Sequence, residues 1–141
     1  MKIGKYALFE PFEYKFKEEP ELWWKIKPPT SGDELSMARF LNRGKYTVGP
    51  EGASREDAPT MVEIMYREVA LTFVGTNIED DDGKPVLKEG ASVTTIETVL
   101  KQLPHAMVLE IWEAIGENCP GWGGKLRAED EEGSEEDDPN S

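Results

Sequence analysis

The run from Ala128 to Ser141, AEDEEGSEEDDPNS, constrains this 141-residue chain more than any other feature. Eight of its fourteen residues are Asp or Glu, and Ala128 is its only apolar residue. Ordering a chain costs roughly 1–2 kcal/mol per residue, which a segment with no apolar surface to bury does not offset. A disordered acidic tail, 128–141, is therefore expected behind a single α+β domain, 1–127. The tail also carries most of the net charge. The whole chain stands at −13; without the tail, 21 acids face 16 bases, for −5. Such a tail is either a solubilising device alone or the companion of an exposed binding surface.

A body of about 127 residues is large enough for one core. Its acidic balance argues against nucleic-acid binding, which needs a Lys/Arg patch to displace counterions from phosphates. No window holds eighteen consecutive apolar residues, so no membrane span is expected. The first residues, MKIGKYALFEPFEYKF, begin like a secretory signal, but Glu10, Pro11 and Glu13 interrupt its apolar stretch. A soluble, intracellular protein is the expectation. Cys119 is the single cysteine, which excludes an intrachain disulfide and a cysteine-rich metal site.

From Phe12 to Lys17 aromatic and charged residues alternate, and Leu22-Trp23-Trp24-Lys25-Ile26-Lys27 alternates again with Leu22, Trp24 and Ile26 on one face. The polar break Glu18-Glu19-Pro20-Glu21 between them predicts an aromatic β-hairpin, ended by Pro28-Pro29. Tyr6 to Phe9 is a candidate third strand. Ser31-Gly32-Asp33-Glu34 has capping-box spacing, and it opens a helix whose stripe is Leu35, Ala38 and Leu41, with Met37 and Phe40 beside it. Asn42-Arg43-Gly44 stops that helix, and Val48 to Pro59 reads as a loop.

Thr60-Met61-Val62-Glu63 repeats the capping box, with Ile64, Met65, Val69 and Phe73 at helical spacing as far as Gly75. A polar loop, Asn77 to Gly90, precedes a third capping box at Thr94-Thr95-Ile96-Glu97. Ile96, Val99, Leu100 and Leu103 face one way on the short helix that follows. Pro104 fits the first turn of the next helix, from about His105 to Ile115, which Gly116 ends. The predicted fold is α+β: an N-terminal aromatic β-hairpin followed by about four α-helices.

Motifs for chemistry are weak. Asp80, Asp82, Gly83 and Glu89 carry offsets of a calcium-binding EF-hand loop, but Ile78 stands at the anchoring acid position and Pro85 at the usually aliphatic one. A turn at Asp81-Asp82-Gly83-Lys84 fits better. His105 and Cys119 are the one His and the one Cys, and a helix between them holds them roughly 18 Å apart at 1.5 Å per residue, too far for a nucleophilic pair. The glycines at Gly121, Gly123 and Gly124 lack the strand and the Lys-Ser/Thr of a phosphate loop. No catalytic, cofactor or metal site is expected.

The tryptophans divide. Trp24 and Trp112 fall on apolar faces and belong to the core. Trp23 falls on the opposite strand face, with Lys25 and Lys27, where a large aromatic is a candidate anchor for a partner. Trp122, in the glycine-rich exit, either folds back on the body or docks elsewhere, and folding back suits it better.

The run Trp24-Lys-Ile-Lys-Pro-Pro-Thr-Ser-Gly-Asp-Glu-Leu35, strand into helix, resembles tail assembly chaperones of long-tailed bacteriophages in layout. The late pair around Thr95-Ile96-Glu97, Leu103-Pro104 and Leu109-Glu110-Ile111 completes that resemblance, from which the aromatic hairpin departs. The resemblance implies a non-enzymatic protein of the host cell cytoplasm that coats the helical tape-measure protein and keeps it soluble until the tail tube forms. It also implies possible contact with tail-tube subunits and self-association. A groove for an amphipathic helix would then be lined by Val99, Leu103, Val108, Ile111 and Trp112 unless these are core. With Trp23 and Trp122 they are the candidate partner-binding residues. The alternative is a structural or accessory subunit of a head–tail or tail-tube assembly, with the hairpin pairing edge to edge.

Overall fold

Alternation at the N-terminus produces the hairpin it predicts. The computed structural model describes residues 10–43, 45–49, 52–56 and 58–124, and of 45–49 and 52–56 only the backbone. β1 (Phe12–Lys15) and β2 (Trp23–Ile26) pair antiparallel, Phe12 opposite Ile26 and Tyr14 opposite Trp24. Glu13 and Lys15 are exposed, while Trp24 and Ile26 are fully buried. Period-two patterning has placed one face on the core, as a half-buried antiparallel pair requires.

The candidate strand Tyr6–Phe9 lies outside the described residues, and the third strand of the described sheet comes from later in the chain. α2 (Met61–Leu71) stops four residues before the predicted Gly75, and β5 (Phe73–Thr76) pairs antiparallel with β2, giving the order β1-β2-β5. Phe73 does follow Val69 at helical spacing, which is why periodicity extends the helix. Thr72 is the C-cap, and its hydroxyl donates to the Glu68 carbonyl at 2.8 Å and to the Val69 carbonyl at 3.3 Å, the second being the acceptor that the Phe73 amide would take in a longer helix. The Lys27 amide donates to the Thr72 carbonyl at 2.8 Å and starts the strand pairing. Phe73 then packs its ring 4.8 Å from that of Trp24.

Helix starts follow the capping chemistry, with two shifts. α1 (Ser31–Leu41) is capped by Thr30, whose hydroxyl accepts from the Asp33 amide while the Asp33 carboxylate accepts from the Thr30 amide. The box thus sits one residue before Ser31–Glu34. The buried face turns with it: Met37 and Phe40 are buried, whereas Leu35, on the predicted stripe, is 52% exposed. α2 has the predicted Thr60/Glu63 box. α3 (Val93–Leu100) is capped by Ser92, two residues early, because Glu97 is engaged elsewhere: its carboxylate lies 2.7 Å from Arg67 Nε. α4 (His105–Asn118) begins after Pro104 as expected but runs through Gly116 for a further two residues.

Between α1 and α2 the predicted loop is instead a hairpin. β3 (Lys45–Gly49) and β4 (Gly52–Glu56) form a two-stranded sheet of their own, Gly49 opposite Gly52. Only two residues separate the strands in sequence, and the glycines and proline of 49–52 make the whole stretch read as a loop. The architecture is α+β: one antiparallel sheet whose inner face, with Phe16, Trp24, Ile26 and Phe73, shares a core with Met65 and Val69 of α2, Ile96 and Leu100 of α3, and Val108, Ile111 and Ile115 of α4. The acidic run 128–141 lies outside the described residues, as does the 127/128 boundary.

Candidate partner-binding site

Each candidate residue has a definite place. Val108 and Ile111, on the inner face of α4, are 1% and 0% exposed and present nothing to a partner in this conformation. Val99, at the end of α3, and Leu103, in the turn before α4, are half-buried against the core. Met107 on the first turn of α4 is half-buried too. The turn between the helices is tight, the Gln102 and Leu103 amides donating to the Val99 and Leu100 carbonyls at 2.9 and 3.2 Å. Val99, Leu103 and Met107 thus leave three partly exposed apolar side chains, one at the end of α3, one in the turn and one at the start of α4.

Trp23 lies on the outer face of the sheet, half-buried. Its ring lies over Gly75 of β5, where an added Cβ would stand 3.8 Å from the indole and 3.9 Å from the Glu89 carboxylate. Its backbone is fixed from both sides. The Trp23 amide donates to Asn77 Oδ1 at 2.8 Å, and Thr76 Oγ1 donates to the Trp23 carbonyl at 2.7 Å. An aromatic lying across a glycine on an edge strand supplies the packing that glycine lacks, so much of this indole is already engaged.

Trp112 and Trp122 are both tied to carboxylates. Trp112 Nε1 donates to Glu68 Oε1 at 2.6 Å, and Glu68, on α2, is only 3% exposed. Trp122 is 3% exposed, folded back as expected, and its Nε1 donates to Glu34 Oε1 on α1 at 2.8 Å. The Gly123 amide adds a 3.1 Å hydrogen bond to the same Glu68 oxygen. Residues 119–124 therefore form a strap across α1, α2 and α4. Gly123, at φ 75°, comes so close to α4 that a Cβ there would lie 2.0 Å from the Gly116 nitrogen. The expected helix end at Gly116 is instead the point on α4 where this close approach occurs. The signal available for the strap was a glycine within a helical stretch, seven residues before another in the exit.

The other chemically capable groups are dispersed. His105 is exposed at the start of α4 and Cys119 is 2% exposed beyond its end, about 20 Å away at the helical rise. Burial pushes the Cys119 thiol upward from its ordinary pKa, and the nearby Glu68 charge pushes it the same way, opposite to what a nucleophilic thiolate needs. Asp80 closes a turn: its Oδ1 accepts from the Asp82 and Lys84 amides at 2.9 and 3.0 Å, with Gly83 at φ 77°. Among the described residues no three His, Cys, Asp or Glu side chains are grouped to hold a metal ion. A shallow, open cavity of about 430 Å³ is lined by the loop Pro85–Ala91 with Thr95. The charges that α4 brings to Tyr14 are acidic. Tyr14 Oη donates to Glu110 Oε1 at 2.7 Å, and burial, that hydrogen bond and the charges of Glu110, Glu113 and Glu117 all raise the phenol's pKa. Among the described residues, no helix is long and apolar enough to cross a membrane. Comparison with protein families, curated proteins and solved structures finds no match to this chain.

Proposed function

We propose that this is a non-enzymatic binding protein of phage tail assembly: a chaperone that holds the helical tape-measure protein soluble in the host cytoplasm until the tube polymerises around it. The observation that carries this reading is the group of half-buried apolar side chains Val99, Leu103 and Met107 around the α3–α4 junction. Partly exposed apolar side chains are what the apolar face of an amphipathic helix, the form a tape-measure segment takes, packs against. Leu35, Met61 and Val62, exposed on α1 and α2, add separate apolar contacts of the kind many weak, exchangeable interactions use. The polar contacts inside the body, Trp112 to Glu68, Trp122 to Glu34 and Arg67 to Glu97, tie elements together. A net charge of −13 keeps such a body dispersed.

Co-expression with the long helical protein encoded beside it, followed by size-exclusion chromatography, tests the proposal. The expected result is a partner soluble only in this chain's presence, in a complex of many copies. A partner that stays insoluble sinks it. A second reading, a structural subunit of the tail or head–tail joint, is favoured by one feature: β3–β4 forms a sheet by itself, and two strands alone are marginal in water. That reading expects a discrete ring or tube formed by this chain alone, with the hairpin edge protected in the assembly.

A further inference from the structure

We propose that residues 119–124 are a releasable strap, which opens as a unit while the helices stay folded and frees a socket between α1, α2 and α4 for an identical strap from a second copy. The closed state defines the socket. Trp122 fills it, with its indole N–H on Glu34 and the next amide on Glu68. Gly124 lies against the Trp112 ring, where a Cβ would approach to 2.7 Å. The socket is thus an apolar slot with carboxylate acceptors supplied by two helices, fitted to one Trp-Gly-Gly segment.

Three features make the strap separable. Beyond α4 it has no regular structure, and two side chains, Cys119 and Trp122, supply its burial. Gly121, Gly123 and Gly124 all sit at φ between 75° and 84°, so the released chain gains more freedom than any other residues would give it. It is also the last described segment of the chain, so opening drags no other described element with it. The close approach of Gly123 to Gly116 shows that the docked state is built in: no other residue fits at position 123. A segment matched to its own socket fits the same socket on a neighbour, which makes strap exchange between copies the economical route to assembly. The inference does not depend on the identity of any larger partner.

Two measurements on the full chain test it. In native-state hydrogen exchange, the Trp122 and Gly123 amides should exchange at least about tenfold faster than those of Ile111 and Ile115, with rates flat in low urea while the helix amides respond steeply. A common rate and a common urea dependence would overturn the strap as a separate unit. For the socket, a labelled peptide ENCPGWGGK is titrated, under reductant, into wild type and into Trp122→Ala. Binding to Trp122→Ala should be at least about tenfold tighter than to wild type, whose own strap competes, and replacing the peptide's tryptophan by alanine should abolish it. Equal binding, or none to either protein, would overturn the exchange. Should Trp122→Ala fold poorly, Trp122→Phe, which keeps a ring in the socket but loses the Glu34 hydrogen bond, takes its place in the titration with the same expected and overturning results.

Discussion

Glu68 and Trp24 show opposite solutions to burying a polar atom. Glu68 receives the Trp112 indole and the Gly123 amide. Trp24, fully buried, has an indole N–H with no acceptor among the described residues. Removing a donor from a buried carboxylate costs about 1.5–3 kcal/mol, whereas removing an unmet donor recovers part of its desolvation penalty. Trp112→Phe should therefore destabilise more than Trp24→Phe, by about 1 kcal/mol, although Trp24 is the more buried; urea unfolding of both variants checks the order. The glycines allow a second contrast. Gly90, at φ 79°, has nothing within 4 Å of an added Cβ, so Gly90→Ala carries only the left-handed backbone penalty of about 1–2 kcal/mol. Gly123→Ala adds a collision with the Gly116 backbone and should undock the strap, seen as faster exchange at Trp122 and as a larger loss in the same unfolding assay.

Tyr14 sets a pH dependence at the same scale. Its folded pKa is raised, first by burial and then by Glu110, so above the unfolded tyrosine value of about 10 the unfolded chain releases a proton that the folded chain keeps. Stability present below that pH must fall as the solution becomes more alkaline. Alkaline unfolding monitored by circular dichroism should show this fall in wild type and a shallower one in Tyr14→Phe. Glu63 behaves in the opposite sense. The Thr60 amide and then the Arg43 guanidinium hold its carboxyl below the usual range, so its contribution exists above the unfolded value and is lost on acidification through the folded one.

At the level of elements, caps and strand pairing decide where each piece begins. Ser31 and Thr30 stand side by side, and either hydroxyl suits the sequence motif, since Asp33 and Glu34 also follow one another. The cap falls to Thr30 because Asp33, at the third helical position, can both return a hydrogen bond to Thr30 and lie 3.1 Å from Lys27. Glu34 is left to meet Trp122 from across the fold. Thr30→Ala should cost about 1 kcal/mol in urea unfolding, and Ser31→Ala no more than about half of that. The end of α2 was illegible for a related reason. Val69 and Phe73 satisfy a helical period, and a short β-branched run reads equally as helix or strand. The free edge of β2 resolves the ambiguity, because pairing there satisfies backbone groups that a longer helix would leave β2 without.

For the whole molecule, charge and core separate along the chain. Removing 128–141 changes the net charge from −13 to −5 and takes away no residue of the described core. The truncated protein should keep its thermal midpoint within about 2 °C while precipitating at lower protein concentration near neutral pH, since loss of net charge weakens mutual repulsion. A midpoint lowered by several degrees would mean that the tail contributes to the fold.

Local chemistry written in adjacent residues was readable from the sequence alone. The alternation from Phe12 to Ile26 encodes the hairpin, Thr60 with Glu63 encodes the start of α2, Pro104 marks the start of α4, and the apolar periods of α3 and α4 encode core positions such as Leu100, Val108 and Ile111. Each depends on interactions within a few residues, so period and capping rules suffice. Tertiary structure alone decided what depends on distant partners: β5 on the edge of β2, the turn of α1 that leaves Leu35 in solvent, Trp23 over Gly75, and the strap held by Glu34 and Glu68. Those partners are separated by 52 to 88 residues in several cases, and no local pattern records which carboxylate an indole will find once the chain has closed around it.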